Sequence, residues 1–425
     1  MIAHERSADL LDVLRGSTDA AGVRGVVAEP MRHGVGEVLD SHPSGSPPRR
    51  LQLVRTKYKP SRKLTASYVQ VSDGGATSPR HAVVTWTLEG SDVRTAVRVP
   101  PDDATMPQLE RLTDARHVAS LVESMAGVPV PTSGSGGVQV VRYRPGQRHV
   151  LLVGIGGGGG RVYVKTDRDN SGAQAVRAAA VTARELSVRY AAAGTAEPLG
   201  WVAEDAAALW WEAPGLPLSR LLAGRSAGRS SAVRRVGRAL RVLHGVTRAG
   251  TAGNELCAPA RDVSTEASSA LGAAAHIAAL LPAVGAAYTS MVSEVVDVLD
   301  RLPSEQPVLA HRDFKSDNIL IHRGHPRILD FDRSGRAEPA LDLGKFMADL
   351  SWWCPAPDLP ALRTAFRAGY GPSDSLRWAR AEAWAVLFEL KIAARRCALH
   401  EPDWELQVRN RVAAASAALL VARGA

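Results

Sequence analysis

The sequence predicts an α+β chain with a β-rich lobe followed by a mainly helical lobe, and a further β-containing module ahead of both. Short runs of β-branched and aromatic residues, broken by Gly, Pro and Ser, recur between residues 51 and 211. Beyond about residue 215, apolar residues recur mostly at helical spacing. The exception is 308–335, a polar stretch with a short apolar hairpin inside it. At 425 residues the chain is long enough for two or three cores, and its 45% apolar and 22% charged composition is ordinary for a globular protein.

Residues 1–41 hold one or two short amphipathic helices, with Leu10, Leu11, Val13 and Leu14 on the apolar face. His-Pro-Ser-Gly-Ser-Pro-Pro-Arg-Arg at 42–50 reads as a linker. Strands are expected at 51–54, 64–71, 81–88 and 93–99, a helix at 106–125, and a flexible boundary at 132–137. Four units follow: a helical segment and linker (1–50), an extra β module (51–130), a small lobe (131–213) and a helical large lobe (214–425). Tyr143-Arg-Pro-Gly-Gln-Arg148 echoes Tyr58-Lys-Pro-Ser-Arg-Lys63, each between two apolar strands, either as a repeated hairpin or as shared turn chemistry.

Strands at 150–153 and 161–165 follow the second copy. The glycine run between them, Gly154–Gly160, lacks a following Gly-Lys-Ser/Thr and reads as a strand-to-strand turn, not a phosphate loop. A helix pattern covers 171–193, with Glu185 in its middle. Val233, Val236, Ala239, Leu240 and Leu243 form a core stripe ending at His244, which reads as structural. A polar loop is expected at 250–265. The tryptophans at 352, 353, 378, 384 and 404 serve as core or as a pocket lining.

The net charge of +9 does not mark a nucleic-acid binder, because 45 of the 52 basic residues are Arg, scattered without interleaved aromatics. The seven Lys stand out in such a chain, above all Lys165 and Lys315. Cys257, Cys354 and Cys397 lack metal-ligand spacing, and their odd number argues against a disulfide framework. The first residues carry acids and no apolar core, and the Ala-rich stretch 270–288 is too weak to enter a bilayer, so a cytoplasmic location is expected.

The stretch from 308 contains His311-Arg-Asp313-x-Lys315-x-x-Asn318, then Asp330-Phe-Asp twelve residues after Asn318. Ile319-Leu-Ile, a His-Arg-Gly-His-Pro turn and Arg327-Ile-Leu make a hairpin that would bring Asn318 and Asp330 together. Phosphoryl transfer needs a carboxylate to hold the acceptor hydroxyl in line, here Asp313, and oxygen ligands for Mg²⁺, here Asn318 and Asp330.

The segment resembles the catalytic loop and metal motif of the protein-kinase-like superfamily, most closely its aminoglycoside phosphotransferase and choline kinase branch. Asp342-Leu-Gly-Lys-Phe resembles a further element of that branch, and Asp332 stands where protein kinases have Gly. The resemblance implies a bilobal protein-kinase-like fold, with ATP and Mg²⁺ as cofactors. It implies catalytic roles for Asp313, Lys315 and His311, and a strand lysine, Lys165, on the α- and β-phosphates. Glu185 would pair with Lys165. Pro145 to Arg148, with Gly146 and Arg148 foremost, would cover the phosphates. Backbone groups near Glu212 and Pro214 would meet the adenine.

The expected acceptor is a hydroxyl of a small molecule such as a sugar, an aminoglycoside-like compound or a natural-product intermediate. Residues 351–425 hold ten Arg and Lys against seven Asp and Glu, which favours a neutral or anionic compound. The extra N-terminal residues keep two alternatives open: transfer to Ser or Thr of a modified peptide, with a partner protein or a homodimer formed through that module, or an inactive kinase-fold scaffold.

Overall fold

The computed structural model describes residues 10–33, 35, 51–70, 81–131, 137–156, 160–169, 171–224, 228–246, 262–372 and 375–423. The expected linker at 42–50 lies outside them, as do most of the boundary at 132–137 and of the polar loop at 250–265, and residues 157–159 of the glycine run.

The N-terminal module sets a helix, α1 (Ala20–Ala28), against an antiparallel meander of β1 (Leu51–Lys59), β2 (Lys63–Gln70), β3 (His81–Glu89) and β4 (Asp92–Arg98). The Asp19 carboxylate caps α1 by accepting the Gly22 N–H at 2.8 Å. Three polar tips from the sheet tie it to the helical segment. Tyr58 donates to the Val13 carbonyl at 2.6 Å, Tyr68 to Val27 at 2.8 Å and the Trp86 indole to His33 at 3.0 Å. Each ring is buried while its polar end is satisfied.

After α2 (Ala115–Ala126) comes a second sheet of β5 (Val138–Arg144), β6 (Arg148–Gly154) and β7 (Arg161–Asp167). The helix α3 (Ser171–Arg189) precedes its last strands, β8 (Pro198–Val202) and β9 (Ala207–Trp211), and the sheet order is β5-β6-β7-β9-β8. Val118, Leu121 and Val122 of α2 pack on Leu151, Val153, Val162 and Val164. The helix expected at 106–125 therefore covers the second sheet. By packing, the extra module ends near β4 and not at 130.

The echoed sequences form matching hairpins. Lys59 pairs with Lys63, and Arg144 with Arg148, around three-residue turns. Each turn starts with Pro and continues with a left-handed residue, Ser61 at φ 54° and Gly146 at φ 63°. Each closes by a 3.1 Å or 3.0 Å backbone bond, Arg62 to Lys59 and Gln147 to Arg144.

The large lobe contains α4 (Arg229–Gly245), α5 (Val263–Ala273) and α6 (Pro282–Arg301), then the short strands β10 (Val308–Ala310), β11 (Ile319–His322), β12 (His325–Ile328) and β13 (Gly335–Ala337). It ends with α7 (Pro339–Trp353), α8 (Leu359–Tyr370), α9 (Ser375–Arg396) and α10 (Trp404–Arg423). A Cβ on Gly369 of α8 would lie 1.8 Å from the Arg234 carbonyl of α4, so that crossing needs glycine. Arg380, 2% exposed, grips Glu338 at 2.5 and 2.7 Å and donates to the Leu299 and Leu302 carbonyls, pinning α9 to the start of α7. Trp384 and Trp404 are core residues. Among the described residues no helix is long and apolar enough to cross a membrane.

Candidate active site

The loop 311–318 leaves β10 and is shaped by one face of α7. Asp342, Lys345 and Asp349 recur at i, i+3 and i+7 and so look the same way. Asp342 is fully buried and accepts the backbone N–H groups of His311 at 2.7 Å and Arg312 at 2.8 Å. A carboxylate can only accept, so His244 donates to it from Nε2 at 3.2 Å while Nδ1 takes the Tyr370 hydroxyl at 2.9 Å. Asp349 accepts the Ser316 N–H at 2.6 Å. Between these anchors Arg312 sits at φ 60°, a strained position for a side chain with a Cβ, which the two bonds to Asp342 hold in place.

Asp313 emerges from this loop with both oxygens engaged. Oδ1 meets Lys345 at 2.6 Å, and Oδ2 meets Lys315 at 2.8 Å and the Asn318 amide at 3.2 Å. A carboxylate offers about four lone-pair directions, so one is left for a hydroxyl. Burial opposes its ionisation, but Lys345 and Lys315 reverse that and hold its pKa well below the ordinary carboxylate value.

The hairpin β11–β12 pairs Ile319 with Ile328, and Leu329 donates to the Asn318 carbonyl at 2.8 Å. Its outer ends, Asn318 and Asp330, are thus neighbours. Asp330 is itself left-handed, at φ 61°. On β7, Lys165 alternates with the buried Val162, Val164 and Thr166, and so faces the cleft side. Its ammonium meets Asp330 at 2.5 Å and also contacts Asp332. Arg148 contacts Asp332, reaches Asp167 at 2.6 Å and lies 3.9 Å from Asp330.

The two acids of the Asp330-Phe331-Asp332 turn split. Burial and the charge of Asp330 push Asp332 up, while Lys165 outweighs the burial of Asp330 and holds it down. Oδ1 of the buried Asp332 lacks a hydrogen-bond partner. Two adjacent carboxylates, one with an open oxygen, beside the Asn318 side chain suit a hard divalent cation. Among the described residues no group of three His, Cys, Asp or Glu could hold a metal alone. Mg²⁺ commonly takes one or two carboxylates and completes its octahedron from phosphates and water, so the set fits that ion.

Four expected positions differ. Glu185 does not meet Lys165: it pairs with Arg189 on its own helix at 2.9 Å, because α3 packs through Ala175, Ala178, Thr182 and Leu186, and Glu185 falls beside that stripe. His311 is fully buried. Its Nε2 donates to the Leu329 carbonyl at 2.8 Å and its Nδ1 accepts the Asp313 N–H at 3.3 Å, so it braces the loop against the hairpin. The Gly146 N–H, expected to face phosphate, donates at 2.5 Å to Asp103, which precedes α2. The Glu212 N–H, expected near adenine, donates to the Arg161 carbonyl at 2.8 Å, and its carboxylate holds the Arg161 guanidinium. Pro214 is exposed in the crossing to the large lobe, where Leu216 pairs with Ile321. Lys345, Asp349 and Asp103 were not expected at the site. The spacing of Asp342, Lys345 and Asp349 on one helix could have revealed the first two.

The sequence model described as "phosphotransferase enzyme family" matches residues 140–384, more than half of the chain. No curated protein matches the chain by sequence. Solved structures with a similar fold include a spectinomycin phosphotransferase bound to ADP and spectinomycin, at 11% identity and TM-score 0.50, covering 73% of this chain and 98% of that one. An amicoumacin kinase bound to AMP-PNP, Ca²⁺ and its antibiotic is similar at 14% identity and TM-score 0.51, covering 72% and 95%. A choline/ethanolamine kinase family protein from Mesorhizobium loti shares 17% identity at TM-score 0.47, over 72% and 99%.

Proposed function

Because the chain belongs to the phosphotransferase enzyme family, we propose that it moves the γ-phosphoryl group of ATP to a hydroxyl of a small molecule, with Asp313 orienting that hydroxyl. The observation that carries this reading is the contact chain from Lys165 through Asp330 and the hairpin base to Asn318 and Asp313. Bound Mg²⁺ would neutralise β- and γ-phosphate oxygens, held by Asp330, Asp332 and the Asn318 side chain. Lys165 supplies positive charge on the sheet side. Asp313 uses its free lone pair to accept the hydroxyl hydrogen and aim the oxygen at phosphorus. As the new O–P bond forms, the bond from γ-phosphorus to the bridging oxygen breaks. ADP leaves, and the hydroxyl proton passes by way of Asp313 to solvent. Lys315 and Lys345 keep Asp313 ionised between turnovers.

The test is ADP release from Mg-ATP with sugars, aminoglycosides, nucleosides and Ser/Thr peptides. Asp313→Ala should lose turnover and keep ATP binding, and Asp330→Ala should lose Mg²⁺-dependent nucleotide binding as well. Equal turnover by Asp313→Ala and wild type would end the reading. Turnover only with peptides would favour a peptide kinase. Silence with every acceptor and no Mg-ATP binding would favour a scaffold.

A further inference from the structure

The cleft face of the second sheet is more basic than one nucleotide requires. On β5, Arg142 and Arg144 alternate with the buried Tyr143. Arg144 pairs with Arg148, and Arg142 pairs with Val150, which pairs with Lys165, so all four basic residues share one face. In the echoed hairpin the matching places are Lys57 and Lys59, with Arg55 before them. The bulge after Leu53 sets Arg55 and Lys57 on the face opposite the core that Tyr58 joins. Val83, Met106, Leu109 and Tyr143 form a small apolar cluster that seats the N-terminal sheet against β5.

Cations from three parts of the chain therefore look into one space. Lost hydration is the main reason that the charged forms of Lys57, Arg142 and Arg144 are disfavoured, and neighbouring cations add to it. Those neighbours are Lys59, Arg55, Lys63 and Arg395 for Lys57, Arg148 and Arg55 for Arg142, with Asp330 acting the other way, and Arg142, Arg55, Arg148 and Arg333 for Arg144, which is pushed down to about 10. Among the described residues, none of Arg55, Lys57, Arg142, Arg144 and Arg333 has a carboxylate at ion-pair distance, Asp330 acts on Arg142 only from farther off, and all five keep contact with solvent. Lys165 and Arg148, by contrast, are already committed to Asp330 and Asp332. Six of the seven Lys of this Arg-rich chain follow the same plan, with Lys57, Lys59 and Lys63 in the hairpin and Lys165, Lys315 and Lys345 at the cleft, while the seventh, Lys391, is buried against Glu266.

Unpaired like charges repel one another, and an anion placed among them relieves that repulsion. We propose that the acceptor is itself an anion, a hydroxyl compound whose carboxylate or phosphate group sits between β1 and the catalytic loop, against Arg55, Lys57, Arg142, Arg144 and Arg333. This rests on the phosphotransferase reading and adds to it the acceptor's charge. The same field repels polycationic acceptors.

The experiment fills the nucleotide site with saturating Mg–AMP-PNP and measures glucose, glucuronate and glucose 6-phosphate binding by calorimetry at low and high salt. Wild type and the Arg55→Gln/Lys57→Gln variant are compared; both side chains are exposed, so folding is retained. Wild type should bind at least one anionic probe about tenfold or more tightly than glucose, and salt should erode the difference. The variant should lose that preference and keep its AMP-PNP affinity. Equal affinity for charged and neutral probes overturns the proposal. So does a variant that loses AMP-PNP and not the probe, which would assign these cations to ATP. Efficient transfer to neutral or cationic hydroxyl compounds, abolished by Asp313→Ala, would leave the phosphotransferase reading standing and remove this one.

Discussion

Replacing Asp342 by Asn changes one buried atom of the α7 template and tests whether the catalytic loop is held from behind. The carboxylate accepts from the His311 and Arg312 backbones and from the His244 ring, at 2.7, 2.8 and 3.2 Å. Asparagine keeps one acceptor oxygen and turns an NH₂ toward one of the two backbone donors. The lost charge-assisted bond costs about 1.5–3 kcal/mol, and the buried donor facing another donor costs about 1–3 kcal/mol more. A total near 3–5 kcal/mol should appear in urea unfolding. The strain at Arg312, φ 60°, can then relax, which displaces the adjoining Asp313. A shift of about 1 Å lowers kcat roughly a hundredfold. KM for ATP should hold within about twofold, since Lys165 and Asp330 lie on other elements. The assay pairs urea titration with ADP-release kinetics on the same preparation. A folded Asp342→Asn protein with kcat within about twofold of wild type would show that the loop keeps its shape unaided, and would refute this reasoning.

Lys345→Met should lower kcat by about a hundredfold with little change in KM for ATP, because Asp313 Oδ1 and the Arg312 carbonyl lose their shared donor. Asp313 is held ionised by its two lysines, so the acid limb of the pH profile should also move upward in that variant. Glu185→Ala should change stability by no more than about 0.5 kcal/mol and leave KM for ATP unaltered, and a severalfold rise in KM would restore its pairing with Lys165. His149 is fully buried, has neither ring nitrogen bonded, and is pushed down to about 4, by burial first and by His81 second. A base depressed on folding gives stability that is complete above its unfolded pKa and lost as pH falls toward the folded one. The loss should run from about pH 6.5 down to about 4 and reach roughly 2 kcal/mol at pH 5, and His149→Phe should flatten it in denaturant titrations at those pH values.

The residues readable from sequence are those whose partners are near in the chain. Asn318 and Asp330 meet because a hairpin of fixed length joins them, and apolar runs with a Gly turn announce such a hairpin. The echoed turns were readable because Pro followed by a left-handed residue is local chemistry. The partner of Lys165 was not readable. It lies 165 positions away on the other lobe, and nothing in the 171–189 helix pattern indicates that the stripe facing the sheet passes beside Glu185 and leaves it to Arg189. His311 illustrates the opposite difficulty. Its place in the motif suggests chemistry, but its ring nitrogens are both spent on holding Leu329 and Asp313, a role that only tertiary contacts reveal.

The family match begins at residue 140, yet the sheet it describes is not complete there. The outer face of β6, β7 and β9 is covered by α2, from before that limit. Gln108 donates to Thr166 and to the Asp167 carbonyl at 3.0 and 3.1 Å, and Arg111 and His117 both bind the buried Asp205. Asp103 adds the contact closest to the chemistry. Its buried carboxylate accepts Thr105 at 2.6 Å, Tyr143 at 3.2 Å and Gly146 at 2.5 Å. Burial opposes its charge, these bonds more than compensate, and its pKa stays low. The backbone N–H that a phosphate could have used is therefore held by an acid of the preceding segment. The Pro145–Gln147 turn, which leads into Arg148 and the Asp332 contact, is fixed from outside the family region. The N-terminal residues thus set this turn through Asp103, and the proposed anion site draws on the same segment through Arg55 and Lys57.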